Sequence, residues 1–282
     1  MNVQKVDFTS PTAPQDFAKS LQYTGFAVLT HHPIPWSDIE VVYQEWEAFF
    51  KSGECHQYPF DEIKQDGYAS PKLSETAKGA KYKDLKSFYH LYFPQGRYPK
   101  EISEKTREVF YKMFELGKTL LKWLDDYMPV EIRARLKMPL YDMVDMSRTL
   151  LRILYYPPFQ GTEEAGAIRA EAHSDINLIT LLPAATQKGL QVQDVKGLWH
   201  DVPLDPESLI VNIGDMLNEA SEQFYRSTPH RVVNPEGAEK SKARMTMPVF
   251  VHAKADVYLS LRYPTADRYL KERLTELGLY KS

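Results

Sequence analysis

Cysteine is almost absent from this 282-residue chain. Cys55 stands alone, so no disulfide can form within it and a disulfide-stapled scaffold is excluded. A reducing compartment suits such a sequence, and a cytoplasmic location is the expectation. No apolar run is long enough to span a bilayer, and Met1 to Phe8 lack the apolar stretch of a secretion signal. An excess of one charge is lacking too. The formal net charge is −3, without a basic run, so neither nucleic acid nor an anionic membrane is expected as a partner. Repeats and low-complexity tracts are missing. What is present is 43% hydrophobic residues with 12% aromatics, ample for the core of one large domain.

The N-terminal half reads as mostly helical. Val3–Phe8 and Gly25–Thr30 are expected strands, and Ala13–Tyr23 a short helix. Trp36–Phe50 follows as a helix capped by Ser37, with Ile39, Val42, Trp46, Phe49 and Phe50 at helical spacing. Residues 52–99 are punctuated by proline and glycine, with one strand expected at Ser87–Phe93. Ile102–Met128 is the clearest helix. Val109, Met113, Leu116, Leu120 and Leu124 form an apolar stripe that predicts a spine packed on a sheet. A short helical stretch, Pro129–Leu136, comes next.

From Leu150 the texture changes to closely spaced short strands: Leu150–Tyr156, Ala170–Leu182, Gly189–Asp194, Leu198–Val202, Ser208–Ile213 and Arg244–Val251. Without intervening helices they argue for an antiparallel sandwich or barrel. A helix at Thr265–Leu277 closes the chain. The expectation is an α+β fold with a β-rich core. It forms one catalytic domain over 1–282: an N-terminal region with the loop-rich segment (1–99), the spine helix (100–139), the β core (140–255) and the C-terminal helix (256–282).

The chemistry concentrates in the β core. His173 and Asp175 are two apart, and on a strand they would share one face. Taken alone, His-x-Asp is often a surface dipeptide. With His230 it makes two imidazoles and a carboxylate, the facial ligand set of a non-haem Fe(II) centre that keeps positions open for a co-substrate and O₂. His31, His32, His56 and His90 have no partner at ligand spacing, and His200 reads as a solvated loop residue. Arg244 and Thr246 share strand parity. A guanidinium beside a hydroxyl suits the far carboxylate of a dicarboxylic co-substrate, or else is a surface arginine on an edge strand. Tyr156 is a third donor for the same group.

These pieces stand in an order that resembles the iron(II)/2-oxoglutarate-dependent oxygenases of the isopenicillin N synthase-like family. The run comprises Leu151-Arg-Ile-Leu-Tyr-Tyr-Pro-Pro158, Ala172-His-Ser-Asp175 with Ile179-Thr-Leu-Leu182, and Gly189-Leu-Gln-Val192. It continues through Trp199 with Val202, Leu209-Ile-Val-Asn-Ile-Gly-Asp215, Tyr225-Arg-Ser-Thr-Pro-His-Arg-Val232, and Arg244-Met-Thr246 with Pro248 and Phe250. Gly25-Phe26, the His31–Pro35 turn and Phe49-Phe50 match the family's leading region. Three positions depart from it. Arg-x-Thr replaces Arg-x-Ser, Leu154 stands where asparagine is frequent, and the turn reads His-His-Pro-Ile-Pro. The resemblance implies a double-stranded β-helix (jelly roll), iron on His173, Asp175 and His230, and 2-oxoglutarate on Arg244, Thr246 and Tyr156. It also implies decarboxylation of 2-oxoglutarate to succinate and CO₂ as O₂ is split and the substrate is oxidised.

On the substrate side, Arg152 shares parity with Tyr156 and would need an anionic partner if buried, either a group on the substrate or a nearby acid at the rim. His252 shares parity with Arg244 and Thr246, and Asn177 with His173 and Asp175, so both are candidate substrate contacts. Segment 66–90 and helix 265–277 are expected lids. The substrate class is a small molecule. Hydroxylation, desaturation and cyclisation stay open, as does oligomeric state. A 2-oxoglutarate-independent oxidase of the same fold and a non-catalytic metal- or ligand-binding jelly roll are the alternatives.

Overall fold

The computed structural model describes residues 3–71, 73 and 82–276. In chain order the elements are β1 (Lys5–Asp7), α1 (Ala13–Thr24), β2 (Phe26–Thr30), α2 (Trp36–Ser52), β3 (Gly67–Ala69), β4 (Ser87–Tyr92), α3 (Lys105–Asp126) and α4 (Val130–Arg133). The core follows with β5 (Leu150–Tyr156), β6 (Ala170–His173), β7 (Ile179–Pro183), β8 (Leu190–Gln193), β9 (Trp199–Asp201) and β10 (Leu209–Ile213). Then come α5 (Asp215–Ala220), β11 (His230–Val232), β12 (Arg244–Thr246), β13 (Val249–Val251) and α6 (Ala266–Glu276).

The strands make two sheets. The larger runs β1-β2-β10-β7-β13-β5-β4-β3, with β12 also on β5, and the smaller runs β6-β11-β8-β9. Among the described strands only β1–β2 pair in parallel; the rest are antiparallel, as the close strand spacing predicts. Period-2 alternation decides what each face of the large sheet meets. Ala27, Leu29, Leu181, Val211, Val249 and Val251 join the main core under the helices, while Phe26, Val28 and Ile210 face the smaller sheet with Val192 and Val232. The second face holds the chemistry.

The spine helix α3 lies against the first face. All five residues of its expected stripe are buried, each contributing roughly 1.5–3 kcal/mol. Gly117 sets the closeness of that contact, because a Cβ there would stand 3.2 Å from Val251 Cγ2 and 3.5 Å from Leu181 Cδ1.

Four expectations need correction. Ser37 is not a cap: α2 starts at Trp36 on an extended Pro35 whose carbonyl accepts the Asp38 N–H at 3.1 Å. The strand expected at Ala170–Leu182 is two strands. Between them the carbonyls of Asp175, Asn177 and Leu178 accept N–H groups of Asp215, Met216 and Gly214, so this turn is bound to the start of α5, and its last N–H, that of Leu178, reaches the Val251 carbonyl at 3.0 Å. Arg244–Val251 is likewise broken between β12 and β13, where Pro248 offers no N–H to a ladder. His200 lies in β9 with its Nε2 2.8 Å from Asp194 Oδ2, where a solvated loop was expected. Residues 72 and 74–81 of one expected lid, and Leu277 of the other, lie outside the described residues.

Candidate functional site

His173 ends β6 and His230 begins β11, and the two are directly opposite in the small sheet. Their rings are 4.5 Å apart between centroids. Asp175 reaches them from the turn, not from strand parity. Its Oδ1 is 4.0 Å from His173 Nε2 and 3.7 Å from His230 Nε2. Two ligands each about 2.1 Å from one ion lie up to about 4.2 Å apart, so both separations suit a shared metal. One ligand atom from each of the three residues falls within 4.8 Å of the others.

The remaining polar atoms of the triad are already committed. His173 Nδ1 faces the Glu171 carbonyl at 2.7 Å and His230 Nδ1 the Thr228 carbonyl at 3.3 Å. A proton on each Nδ1 leaves both Nε2 lone pairs free for a metal. Asp175 Oδ2 accepts from Thr180 Oγ1 at 2.6 Å and Asn212 Nδ2 at 2.7 Å. Thr180 and Asn212 are paired residues of β7 and β10, the polar members of the otherwise apolar inward face. Burial pushes the Asp175 carboxyl up, but His230, His173 and these two donors outweigh it and hold its pKa below the ordinary value. His173 is 39% exposed and lines the cavity. Desolvation there, together with His230, lowers its pKa to about 4, so it is neutral and able to bind metal at neutral pH.

The turn that carries Asp175 is held by close approach. A Cβ on Gly214 would lie 2.1 Å from the Asn177 carbonyl oxygen, so only glycine lets the start of α5 dock there. Asn177 is fully buried and its amide donates to the Ile179 carbonyl at 2.6 Å and to Thr180 Oγ1 at 3.1 Å. The parity argument for it therefore does not apply: it borders the cavity, but its amide nitrogen is spent on the turn.

A second cluster is buried apart from the cavity lining. Arg244 is opposite Tyr156 in the β12–β5 register, with its guanidinium carbon 5.1 Å from the ring centroid. Arg244, Thr246 and Tyr156 are each 2% exposed. Arg244 Nε donates to the Gln187 carbonyl at 3.1 Å, while its Nη1 and Thr246 Oγ1 have no hydrogen-bond partner. Burial lowers the Arg244 pKa from its ordinary value. Unpaired polar atoms on a buried cation are costly unless a ligand meets them.

Three comparisons bear on the family. Residues 147–253 match the model of the 2OG-Fe(II) oxygenase superfamily. A Shewanella oneidensis protein assigned as an oxygenase is 45% identical, with 99% of this chain and 100% of that one covered at a TM-score of 0.88. The chain belongs to the 2OG-Fe(II) oxygenase superfamily. The flavonol synthase/flavanone 3-hydroxylase of Arabidopsis thaliana is 28% identical over 260 residues, 87% of this chain and 74% of that protein. A Neurospora crassa protein solved in complex with alpha-KG shares the fold at a TM-score of 0.82 and 23% identity, covering 98% of this chain and 96% of that one. The protein is thus an Fe(II)/2-oxoglutarate-dependent dioxygenase that uses Fe(2+), 2-oxoglutarate and O₂, with a jelly-roll core.

As in a dioxygenase that must admit a substrate, the triad opens onto a cavity of about 350 Å³. Arg152 lines it, its Nε 2.7 Å from His90 Nε2 and its guanidinium carbon 4.9 and 5.4 Å from the Phe88 and Phe250 rings. His252 follows β13 and lines it too. Its Nδ1 is buried without a partner, and desolvation, then Arg148, lower its pKa to about 4. α6 closes one side through Leu270, Arg273 and Leu274, tied down by Tyr269 O–H to Asp215 at 3.2 Å and by Arg148 to Asp267 at 3.3 Å. Sequence reasoning missed Thr180, Asn212, Arg169, Arg148 and the buried Lys86–Asp84 pair, and set aside His90, which is 4% exposed in the cavity wall. Among the described residues no helix is long and apolar enough to cross a membrane.

Proposed function

We propose that the protein oxidises a small anionic molecule at iron held by His173, Asp175 and His230, with 2-oxoglutarate anchored by Arg244, Thr246 and Tyr156. What carries the reading is the pairing of two features: three ligand atoms within 4.8 Å of one another, and a buried arginine–threonine pair with unmet polar atoms. The metal, when bound, supplies O₂ activation driven by loss of CO₂ from 2-oxoglutarate. The protein's residues do the rest. Thr180 and Asn212 hold the carboxylate so that Oδ1 faces the metal. Arg244 and Thr246 orient the co-substrate by its distal carboxylate. The aromatic and aliphatic walls, with α6, keep water from the reacting centre.

The anionic substrate is supported by the cationic groups of the cavity wall. Arg148, Arg152, Arg273 and Lys86 line it, and Arg148 Nε and Arg273 Nε are buried without hydrogen-bond partners. The acids that also line it are engaged: Asp84 by Lys86 at 2.7 Å, Glu276 by Arg273 at 2.8 Å, Asp215 by the Tyr269 hydroxyl at 3.2 Å and Asp175 by the two histidines, while Arg148 pairs with Asp267 at 3.3 Å. Arg152, fixed against Phe88 and Phe250, is the arginine best placed to meet a planar carboxylate, and His252 is a neutral contact beside it.

The test is anaerobic Fe(II) protein mixed with O₂, with and without 2-oxoglutarate, across a panel of aromatic and aliphatic carboxylates and their neutral amides. Succinate production that rises with carboxylates and not with amides is expected. Substrate oxidation that proceeds without 2-oxoglutarate would establish the oxidase alternative. Turnover and affinity unchanged in Arg152→Ala would remove Arg152 from the substrate site.

A further inference from the structure

Arg244 is not the only cation buried beside Tyr156. Arg169, just before β6, is fully buried, and its guanidinium carbon lies 5.7 Å from the Tyr156 ring centroid and 5.8 Å from that of Phe159. Gln187 joins the two arginines. Its side-chain Oε1 accepts from Arg169 Nη1 at 2.9 Å, and its backbone carbonyl accepts from Arg244 Nε at 3.1 Å. Arg169 Nη2 reaches the Lys242 carbonyl at 3.3 Å, and its Nε has no partner. Neither guanidinium forms an ion pair with a carboxylate among the described residues. Glu239 reaches the Gln187 amide at 3.3 Å and the Lys242 ammonium at 2.8 Å, and is exposed.

Two buried guanidinium groups sharing one tyrosine ring and no acid form an electrostatic arrangement a folded chain rarely keeps for its own stability. Burial, and then the charge of Arg244, depress the Arg169 pKa to about 10. Gln187 and Lys242 supply oxygen dipoles but no negative charge. A bound anion would supply what is missing.

We propose that Arg169 is a positioning residue of the co-substrate site, a second cation that acts through Gln187 and Tyr156 to make the site select a dicarboxylic 2-oxo acid over a monocarboxylic one. This rests on the reading of Arg244, Thr246 and Tyr156 as the co-substrate anchor. A purely structural Arg169 would hold β6 by its hydrogen bonds and be indifferent to the distal charge of the ligand. An electrostatic Arg169 responds to that charge and to little else.

The two roles separate in a binding experiment that needs no turnover. The Mn(II)-loaded protein is titrated calorimetrically with 2-oxoglutarate and with 2-oxobutyrate, which lacks the distal carboxylate. Wild type, Arg169→Met, Arg169→Lys and Arg244→Met are compared. The expectation for Arg169→Met is a 2-oxoglutarate Kd raised about tenfold or more with the 2-oxobutyrate Kd changed by less than about twofold, and recovery in Arg169→Lys. The ligand-free melting temperature of Arg169→Met should be unchanged or higher, since an uncompensated buried charge is gone, and its rise on adding 2-oxoglutarate smaller. Equal weakening for both acids, or an unchanged 2-oxoglutarate Kd, overturns the proposal. If Arg169→Met does not fold, Arg169→Gln carries the same comparison. Unaltered 2-oxoglutarate binding in Arg244→Met would overturn the anchor reading itself, whereas a silent Arg169 beside an impaired Arg244 overturns only this inference.

Discussion

Replacing Thr180 by valine removes one oxygen and almost no volume. In the folded protein that oxygen donates to Asp175 Oδ2 at 2.6 Å, in a site where the carboxylate is 6% exposed. A hydrogen bond to a charged acceptor contributes about 1.5–3 kcal/mol, so metal affinity should fall about 10- to 100-fold. Asn212 keeps its own bond at 2.7 Å, which places the expected loss at the lower end. Asn177 loses its contact with Thr180 but retains the Ile179 carbonyl, so the turn should persist. The pH dependence has a definite sign. Thr180 helps to hold the Asp175 pKa below its ordinary value. Without it the pKa rises toward the ordinary 3.8, protons compete with metal at higher pH than in wild type, and the deficit widens on going from about pH 7.5 to about pH 4. Mn(II) binding followed by electron paramagnetic resonance at both pH values measures this, with Thr180→Ser as the rescue. Identical Mn(II) affinities for Thr180→Val and wild type at both pH values would refute the reasoning.

Gly117→Ala gains about 1 kcal/mol of helix propensity but sets a Cβ 3.2 Å from the stiff Val251 side chain. Overpacking costs roughly 1–3 kcal/mol, so denaturant unfolding should show a net loss of up to about 2 kcal/mol. Gly214→Ala forces a Cβ to 2.1 Å from the Asn177 carbonyl; it should cost upward of about 3 kcal/mol and weaken metal binding, read by the same two assays. His252 titrates at about 4 in the folded chain against an ordinary 6.5. Between those values the unfolded state binds more protons, so stability is complete above about pH 6.5 and falls as pH drops toward about 4. His252→Asn should flatten part of that decline in melting temperature; His173, which carries the same shift in the metal-free protein, and His32, lowered by burial, contribute to the rest.

The proposed iron ligands are legible in the sequence, but for a partly mistaken reason. His173 and Asp175 do converge with His230, yet not because alternate residues of a strand share a face. The strand stops at His173, and Asp175 is delivered by a turn whose carbonyls are claimed by α5, a contact between positions about forty apart that no local pattern encodes. Parity works where a strand is continuous, as in β5, which sends Arg152 and Tyr156 to the side away from Leu151 and Ile153. Thr180 and Asn212 are detectable in principle, since each interrupts an apolar strand on its inward phase. Arg169 is not: among alanines in a segment with no clear period, it reads as any surface arginine. Metal-ligand spacing, the criterion that sets His90 aside, says nothing about contacts to Arg152.

Taken with the packing, these observations divide the interior by charge. Asp175 is the buried anion of the metal site, and two histidines and two donors surround it. Arg169 and Arg244 carry two positive charges beside Tyr156 with no acid paired to them among the described residues. The cavity wall adds Arg152, together with Arg148 and Arg273, which pair with Asp267 and with Glu272 and Glu276. Beside Tyr156 the ligand-free protein therefore holds two buried positive charges that no carboxylate among the described residues offsets. Each zone is short of what the reaction brings to it: a divalent cation at the triad, a dicarboxylate beside Tyr156, and an anionic substrate against Arg152. The ligand-free protein should therefore gain stability stepwise as each is added, and the gain from 2-oxoglutarate should shrink with rising ionic strength less than that from the substrate, because the co-substrate arginines are fully buried whereas Arg148 and Arg273 retain about a quarter of their side-chain exposure. Melting temperatures at low and high salt with each ligand would show it, and an equal salt response for both ligands would count against separate zones.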